Sequence, residues 1–242
     1  WEGELMAIQP FCEEEKWPEA TAAIIAYFEQ QGRPLVFTGI EKAYAEFLGQ
    51  YDGADFEIED DRDNWEYVYE AEKLISLSGR KLHSKKNHLN AFRKMYPQAE
   101  YLPITEDIIT ACKIELNNWY KLRIQDEPDD PFIGWERKAI MEIFNDFDYF
   151  KLKGGAIRLD DRIIAFTFGE ALNADTAVIH VEKADPNIRG AYPAINQGFV
   201  EHAWSAMTYI NREEDMGHEG LRKAKESYKP VKMIEKFNAR RK

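Results

Sequence analysis

The run Tyr209-Ile-Asn211-Arg212-Glu-Glu-Asp215-Met-Gly217-His-Glu-Gly220-Leu221-Arg222-Lys223-Ala-Lys225-Glu-Ser-Tyr228-Lys-Pro230 gathers more chemistry-bearing side chains than any other stretch of this chain. Tyr209 and Ile210 read as the close of a short apolar strand, Gly217 and Gly220 bracket a turn, and Leu221 to Tyr228 has helical spacing. Arg222, Lys223 and Lys225 crowd the first turns of that helix, where the dipole disfavours cations and welcomes anions. They read either as the wall of an anion site or as a solvated face balanced by Glu219 and Glu226. At the strand exit Asn211 and Arg212 can orient a carboxylate or phosphate, because the planar fork of arginine matches two oxygens. Asp215 can hold an ammonium group or cap the turn.

Two further groups can move protons. His180 and Glu182 are two residues apart in a predicted strand and so share a face, and either can act as a relay if that face lines a cleft. A histidine at a strand end also serves as an ordinary hydrogen-bonded core residue. Zinc-spaced Cys and His, a Walker A loop, a GxSxG elbow and HExxH are all missing from the sequence, and no metal is predicted.

Charge is distributed unevenly. The net charge of -12 over 242 residues argues against a general nucleic-acid binder. The acid lies mostly in the first 75 residues, whereas Arg80 to Lys94, with Arg80, Lys85 and Arg93, and Arg222 to Lys242 are basic. Should these converge, they make one positive patch for the phosphates of a tRNA end or a nucleotide. An apolar fraction of 44% fits a globular chain with a sizeable core. No apolar run reaches the roughly 20 residues of a membrane span, and no charged-then-apolar segment with a small-residue cleavage site is read in the sequence, so a cytoplasmic location is expected. Cys12 and Cys112 are expected to be buried thiols, and Trp65, Trp119, Trp135 and Trp204 to serve the core. Trp119-Tyr120 with Arg123 can border a substrate opening.

The elements that must position these groups alternate twice. Leu5–Ile8 and Leu35–Gly39 are predicted strands, Trp17–Gln31 and Glu41–Tyr51 helices, Trp65–Leu77 a strand in part, Leu82–Met95 a basic helix and Glu100–Pro103 a strand. Thr105 is an N-cap candidate for a helix running to about Arg123; Gln125–Pro131 breaks the pattern, and Trp135–Asp146 is helical. Ala156–Leu159 and Ile163–Leu172 flank a hairpin turn at Asp160-Asp161-Arg162. Thr176–Val181, Pro193–Met207, Tyr209–Arg212, Glu219–Tyr228 and Val231–Phe237 continue as strand, helix, strand, helix and strand.

Hairpin, strand, helix, strand, helix, strand resembles the GNAT acyltransferase core from its third strand onward. The fold expected is α+β, two tandem GNAT-like units with mixed, mostly antiparallel sheets, at 1–100 and 101–242. In that family a basic residue, then a glycine three positions on, then a glycine or alanine two further on, form the pyrophosphate loop. Arg189 and Ala194 fit this pattern beside Gly190, but Tyr192 stands where the middle glycine belongs. Its ring would obstruct a pyrophosphate lying on the backbone.

The 211–230 run, and Gly79-Arg80-Lys81-Leu82 with Lys85, Asn87, Asn90 and Arg93, resemble the domain found at the C-terminus of phosphatidylglycerol lysyltransferases. That family is related to the Fem transferases. The resemblance implies acyl transfer from an aminoacyl-tRNA or acyl-CoA donor to an amine or hydroxyl acceptor, a small molecule or a lipid. The implied roles are His180 and Glu182 in catalysis, and Asn211, Arg212 and Asp215 on the substrate. Arg80, Lys85, Arg93, Arg189, Gly190, Tyr192, Arg222 and Lys225 would hold the donor's phosphates. A degenerate GNAT-like module that binds a small anion without catalysis is the alternative.

Overall fold

The computed structural model describes residues 5–126 and 132–242. In chain order the elements are α1 (Trp17–Gln31), β1 (Val36–Glu41), α2 (Lys42–Leu48), β2 (Phe56–Asp60), β3 (Glu66–Glu70), α3 (Ala71–Ser76), α4 (His83–Met95), β4 (Glu100–Pro103), α5 (Glu106–Asp126), α6 (Phe132–Asn145) and α7 (Phe147–Phe150). They continue as β5 (Lys153–Leu159), β6 (Arg162–Ala171), β7 (Thr176–Ala184), α8 (Ala191–Ala203), β8 (Tyr209–Asn211), α9 (Glu219–Glu226), β9 (Lys232–Ile234) and β10 (Lys236–Arg241). The break expected over Gln125–Pro131 lies largely outside the described residues.

Two compact units result: one made of Trp1–Tyr67, Glu214–Ala224 and Lys232–Lys242, the other of Val68–Glu213 and Lys225–Val231. A boundary near residue 100 therefore does not match the packing. Backbone hydrogen bonding is the reason. Val68–Glu70 pairs with Tyr209–Asn211 in the second unit, while the returning β10 pairs with both β1 and β2 in the first.

In the first unit an antiparallel sheet of order β1-β10-β2 carries α1 and α2. Phe28 of α1, Phe37 and Ile40 of β1, Tyr44 and Leu48 of α2 and Ala239 of β10 form its core. Thr21 Oγ1 and Tyr44 Oη, both out of water, satisfy each other at 2.7 Å.

The second unit's sheet runs β4-β5-β6-β7-β8-β3. Its pairings are antiparallel except β7 with β8, which is parallel because α8 carries the chain back between them. The β5–β6 turn is the expected one, with Leu159 opposite Arg162 and Asp160 in the left-handed region at φ 53°. Residues Ile163 to Phe168 are all buried, since α8 covers one face of β6 and α5 the other. Leu116, Tyr120, Ile140, Phe144 and Phe147 fill the space between α5–α7 and the strands.

Several local expectations are corrected. Leu5–Ile8 forms only a bridge, Ala7 to Phe37, rather than a strand. The alternation from Trp65 ends at Glu70, after which Ala71–Ser76 is helical and buries Ala71 and Leu74. Cys112 is buried, but Cys12 is exposed in the segment before α1. Trp135 is 79% exposed, because Ile133, Ile140 and Phe144 take the inward face of α6 and leave it outside.

Candidate active site

The site follows from a break in strand pairing. Phe168 faces Val181 and Gly169 faces Ile179, so β7 has one residue more than β6 there, and that residue is His180. The result is a bulge. Gly169 permits it: a Cβ at this position would lie 2.0 Å from the carbonyl oxygen of Val178. Beside the bulge β7 and β8 also part, since their pairing ends at Val178 and Asn211 while β7 runs on to Ala184. Beyond these ends, Glu182 on β7 and Arg212 just past β8 meet where the strands separate.

Arg212 Nη2 donates to Glu182 Oε1 at 2.9 Å, and Asn196 of α8 donates through Nδ2 to Glu182 Oε2 at 2.9 Å. The two charged side chains are only 11% and 12% exposed. Arg212 Nη1 and Asn196 Oδ1 are buried with no hydrogen-bond partner among the described residues, one a donor and the other an acceptor, on either side of the same carboxylate. Burial works against the charge on Arg212, but Glu182, Tyr69 and Tyr228 together outweigh it and hold the guanidinium above its ordinary value.

Aromatic rings and further cations surround this pair. The guanidinium carbon of Arg212 is 4.9 Å from the Tyr228 ring centre and 5.7 Å from that of Tyr69. Lys85 of α4 brings its ammonium to 4.4 Å from the same Tyr228 ring, and burial, then Arg212, push its pKa down. Lys225 is buried and donates to the backbone oxygen of Arg212 at 2.5 Å; its own carbonyl accepts from Tyr69 Oη at 2.8 Å. Among these groups Lys85, Arg212 and Lys225 outnumber the carboxylate of Glu182. An arrangement of this kind suits an anionic or strongly polarised oxygen.

Other expected site residues lie elsewhere or are occupied. The bulge turns His180 away from Glu182, and its Nδ1 lies 2.7 Å from Glu213 Oε1 and its Nε2 3.1 Å from Glu170 Oε1. Glu213 raises its pKa against the opposing effect of burial. Both ring nitrogens are thus engaged, which leaves His180 poorly placed to accept a proton. Asn211 is buried and accepts the backbone N–H of Glu213 at 2.8 Å through its Oδ1. Arg80 and Arg189 are exposed, and Arg93 donates to Gln197 Oε1 at 3.0 Å. Gly190, at φ 90°, caps α8, and a Cβ on it would come within 2.8 Å of Phe92 Cβ. Tyr192 is 37% exposed, with its hydroxyl 3.3 Å from Trp119 Nε1.

Asp215 and Arg222 form a hub of the first unit. Arg222 Nε and Nη2 reach Asp215 Oδ2 and Oδ1 at 2.9 and 2.7 Å, and Arg222 also binds Asp63 at 2.7 Å. Tyr67 donates to Asp215 at 2.6 Å, and Arg62 and the N–H of Gly217 add two more bonds. Burial pushes the Asp215 carboxyl up, but these donors overcome it and hold it at about 2. With both oxygens occupied, Asp215 ties the segment 214–222 to Arg62–Tyr67 rather than presenting a carboxylate to solvent.

Reasoning from sequence did not single out Asn196, Tyr69 or Lys183. Asn196 had a visible signal: with Gln197 it is a polar pair in the otherwise apolar run Ala194–Val200. Lys183 follows Glu182 on the opposite face, is 8% exposed, binds Glu136 at 2.7 Å and stacks 3.8 Å from the Trp119 ring centre. Burial pushes its pKa down.

Among the described residues no helix is long and apolar enough to cross a membrane, and no group of His, Cys, Asp and Glu could hold a metal ion. A conserved protein of unknown function from Bacteroides thetaiotaomicron is 35% identical and superposes with a TM-score of 0.91, covering 99% of this chain and 80% of that one. The uncharacterized protein MYCGA3080 of Mycoplasmoides gallisepticum is 31% identical over 71% of this chain, and the match spans 54% of that protein's length. Likeness at the level of fold extends to L-PGS from Bacillus licheniformis, with 14% identity, a TM-score of 0.69 and 98% and 77% of the two chains covered. It extends also to a tandem GNAT protein from the clavulanic acid biosynthesis pathway, with 8% identity, a TM-score of 0.53 and 99% and 76% covered. The model of the family described as "Phosphatidylglycerol lysyltransferase, C-terminal" matches residues 1–240, and the chain belongs to that family.

Proposed function

We propose that this chain transfers an aminoacyl group from tRNA to an amine or hydroxyl acceptor, with Arg212, Glu182 and Asn196 as the centre of the site. The observation that carries this reading is the unpartnered Nη1 of Arg212, buried in a cation-rich cluster where two parallel strands part. In the reaction the acceptor's nucleophilic atom attacks the ester carbonyl carbon and the bond to the ribose oxygen breaks. The proton lost by the nucleophile ends on that oxygen. Arg212 Nη1 donates to the carbonyl oxygen as charge develops there, and Glu182 fixes the guanidinium so that no reorganisation is needed at that moment.

Membership of a family described by a lysyltransferase activity, and a fold shared with tandem GNAT proteins, support aminoacyl transfer as the reaction class. Tyr192, in the first turn of α8, supports a tRNA end over acetyl-CoA, because it stands in the sequence where the GNAT pattern has the glycine that lets a pyrophosphate lie on bare backbone. A gel-shift titration with charged tRNA, beside calorimetry with acetyl-CoA, tests the donor. The reading expects charged tRNA to bind, more weakly as salt rises, and acetyl-CoA not to. Tight acetyl-CoA binding without tRNA binding would overturn it, and binding of charged tRNA without transfer would leave a binding module.

A further inference from the structure

A cavity beside α5 is lined by several charged and polar side chains, and nothing in the proposed reaction uses it. Its volume is about 360 Å³, and Glu115, Asn118, Lys121 and Leu122 of α5, Arg162 at the start of β6, and Asp185 and Asn187 after β7 line it. The size falls within the range of small-molecule sites, roughly 300–1,000 Å³.

The four charges lining this cavity sum to zero, but among the described residues only Arg162 and Asp185 form an ion pair. Asp185, 8% exposed, is satisfied: Arg162 donates to its Oδ2 and the N–H of Asn187 to its Oδ1 at 2.9 Å. That leaves Glu115 and Lys121. Glu115 is 4% exposed and bonded by Asn118, yet its Oε2 has no hydrogen-bond partner among the described residues. A buried carboxylate oxygen without a donor is costly and rarely left so. Lys121 is exposed at the rim.

We propose that this cavity binds a small zwitterion of the α-amino-acid class, its ammonium on Glu115 Oε2 and its carboxylate on Lys121. A simple anion would meet the buried carboxylate of Glu115, and a simple cation would gain nothing from Lys121 at the rim. Only a ligand carrying both signs answers both groups. Burial pushes the Glu115 carboxyl up, and an ammonium placed against it would draw it back to the charged form. This inference does not depend on the transfer reaction.

The test is an NMR titration of the full chain, following the side-chain amides of Asn118 and Asn187, with L-alanine, ethylammonium and propionate as separate probes. L-alanine should give saturable shifts, and the two single-charge probes should bind about tenfold more weakly or worse. Glu115→Gln should weaken L-alanine by about tenfold or more. Lys121→Ala should weaken it too, and Leu122→Trp at the exposed rim should abolish it while circular dichroism stays unchanged. Should Glu115→Gln fail to fold, the latter two variants decide. Propionate or ethylammonium binding as tightly as L-alanine, binding indifferent to these substitutions, or no saturable shift with L-alanine would overturn the proposal.

Discussion

Arg212 gives one of its two terminal nitrogens to Glu182 at 2.9 Å and keeps the other buried and unpartnered. A buried ion pair of this kind contributes little net stability, because desolvation offsets the attraction, but removing one partner strands the other. Arg212→Met alone should therefore cost about 3–5 kcal/mol in urea unfolding, whereas Arg212→Met with Glu182→Leu should recover most of that loss. If the pair is there only for stability, the double variant loses nothing else. If it positions the acyl group, the double variant folds and does not transfer.

Asp215 should control acid stability. Its carboxyl sits at about 2 in the folded chain, against about 3.9 in a free peptide. The depressed value means a contribution that is complete above pH 4 and lost as pH falls from about 4 towards 2, on the order of 2 kcal/mol. Asp215→Asn should lower stability at pH 7 by a similar amount and flatten the acid limb of the unfolding curve. An unchanged pH dependence would contradict the hub described for the first unit.

His180 works in the opposite direction. Glu213 raises its pKa above 6.5, so its contribution is fully present below pH 6.5 and lost as pH rises through the folded value. An NMR titration of the ring should return a pKa above 6.5 in the parent and a lower one in Glu213→Gln. A midpoint at or below 6.5 in the parent would show that the two carboxylates do not hold the ring protonated.

Glycine substitutions separate the strand break from general sensitivity. Gly169→Ala forces a Cβ to 2.0 Å from the carbonyl oxygen of Val178 and should destabilise by about 1–3 kcal/mol while shifting the His180 resonances. Gly134→Ala, in α6 with open space around it, should be neutral or stabilise by about 0.5–1 kcal/mol. Equal effects at the two positions, read by thermal unfolding, would mean that the bulge is not under the constraint described.

Much of the second unit was legible because its signals are local. Asp160-Asp161 between alternating apolar runs specifies a hairpin, and strand, helix, strand from Thr176 to Asn211 specifies a parallel return. What escaped depends on register and on long returns of the chain. The bulge that separates His180 from Glu182 exists only in the pairing of β7 with β6, so simple alternation placed both on one face. Asp215 was read as a substrate contact because Tyr67, 148 residues earlier, cannot be recognised from sequence as its partner. The return that puts β10 between β1 and β2 likewise leaves no mark near residue 100, where the repeated alternation of strands and helices sets the expected boundary.

The most direct test of the account is a single-turnover reaction with tRNA charged with labelled lysine, comparing the parent chain with the Arg212→Met, Glu182→Leu double variant, in the presence of an amine or hydroxyl acceptor. Folding of the variant is checked by circular dichroism, and binding of charged tRNA is measured alongside. The account predicts transfer of label by the parent and a loss of at least about a hundredfold in the double variant, the scale of removing one oxyanion donor, with tRNA binding reduced far less. Equal transfer rates in the two chains would contradict the assignment of Arg212 to the reacting centre.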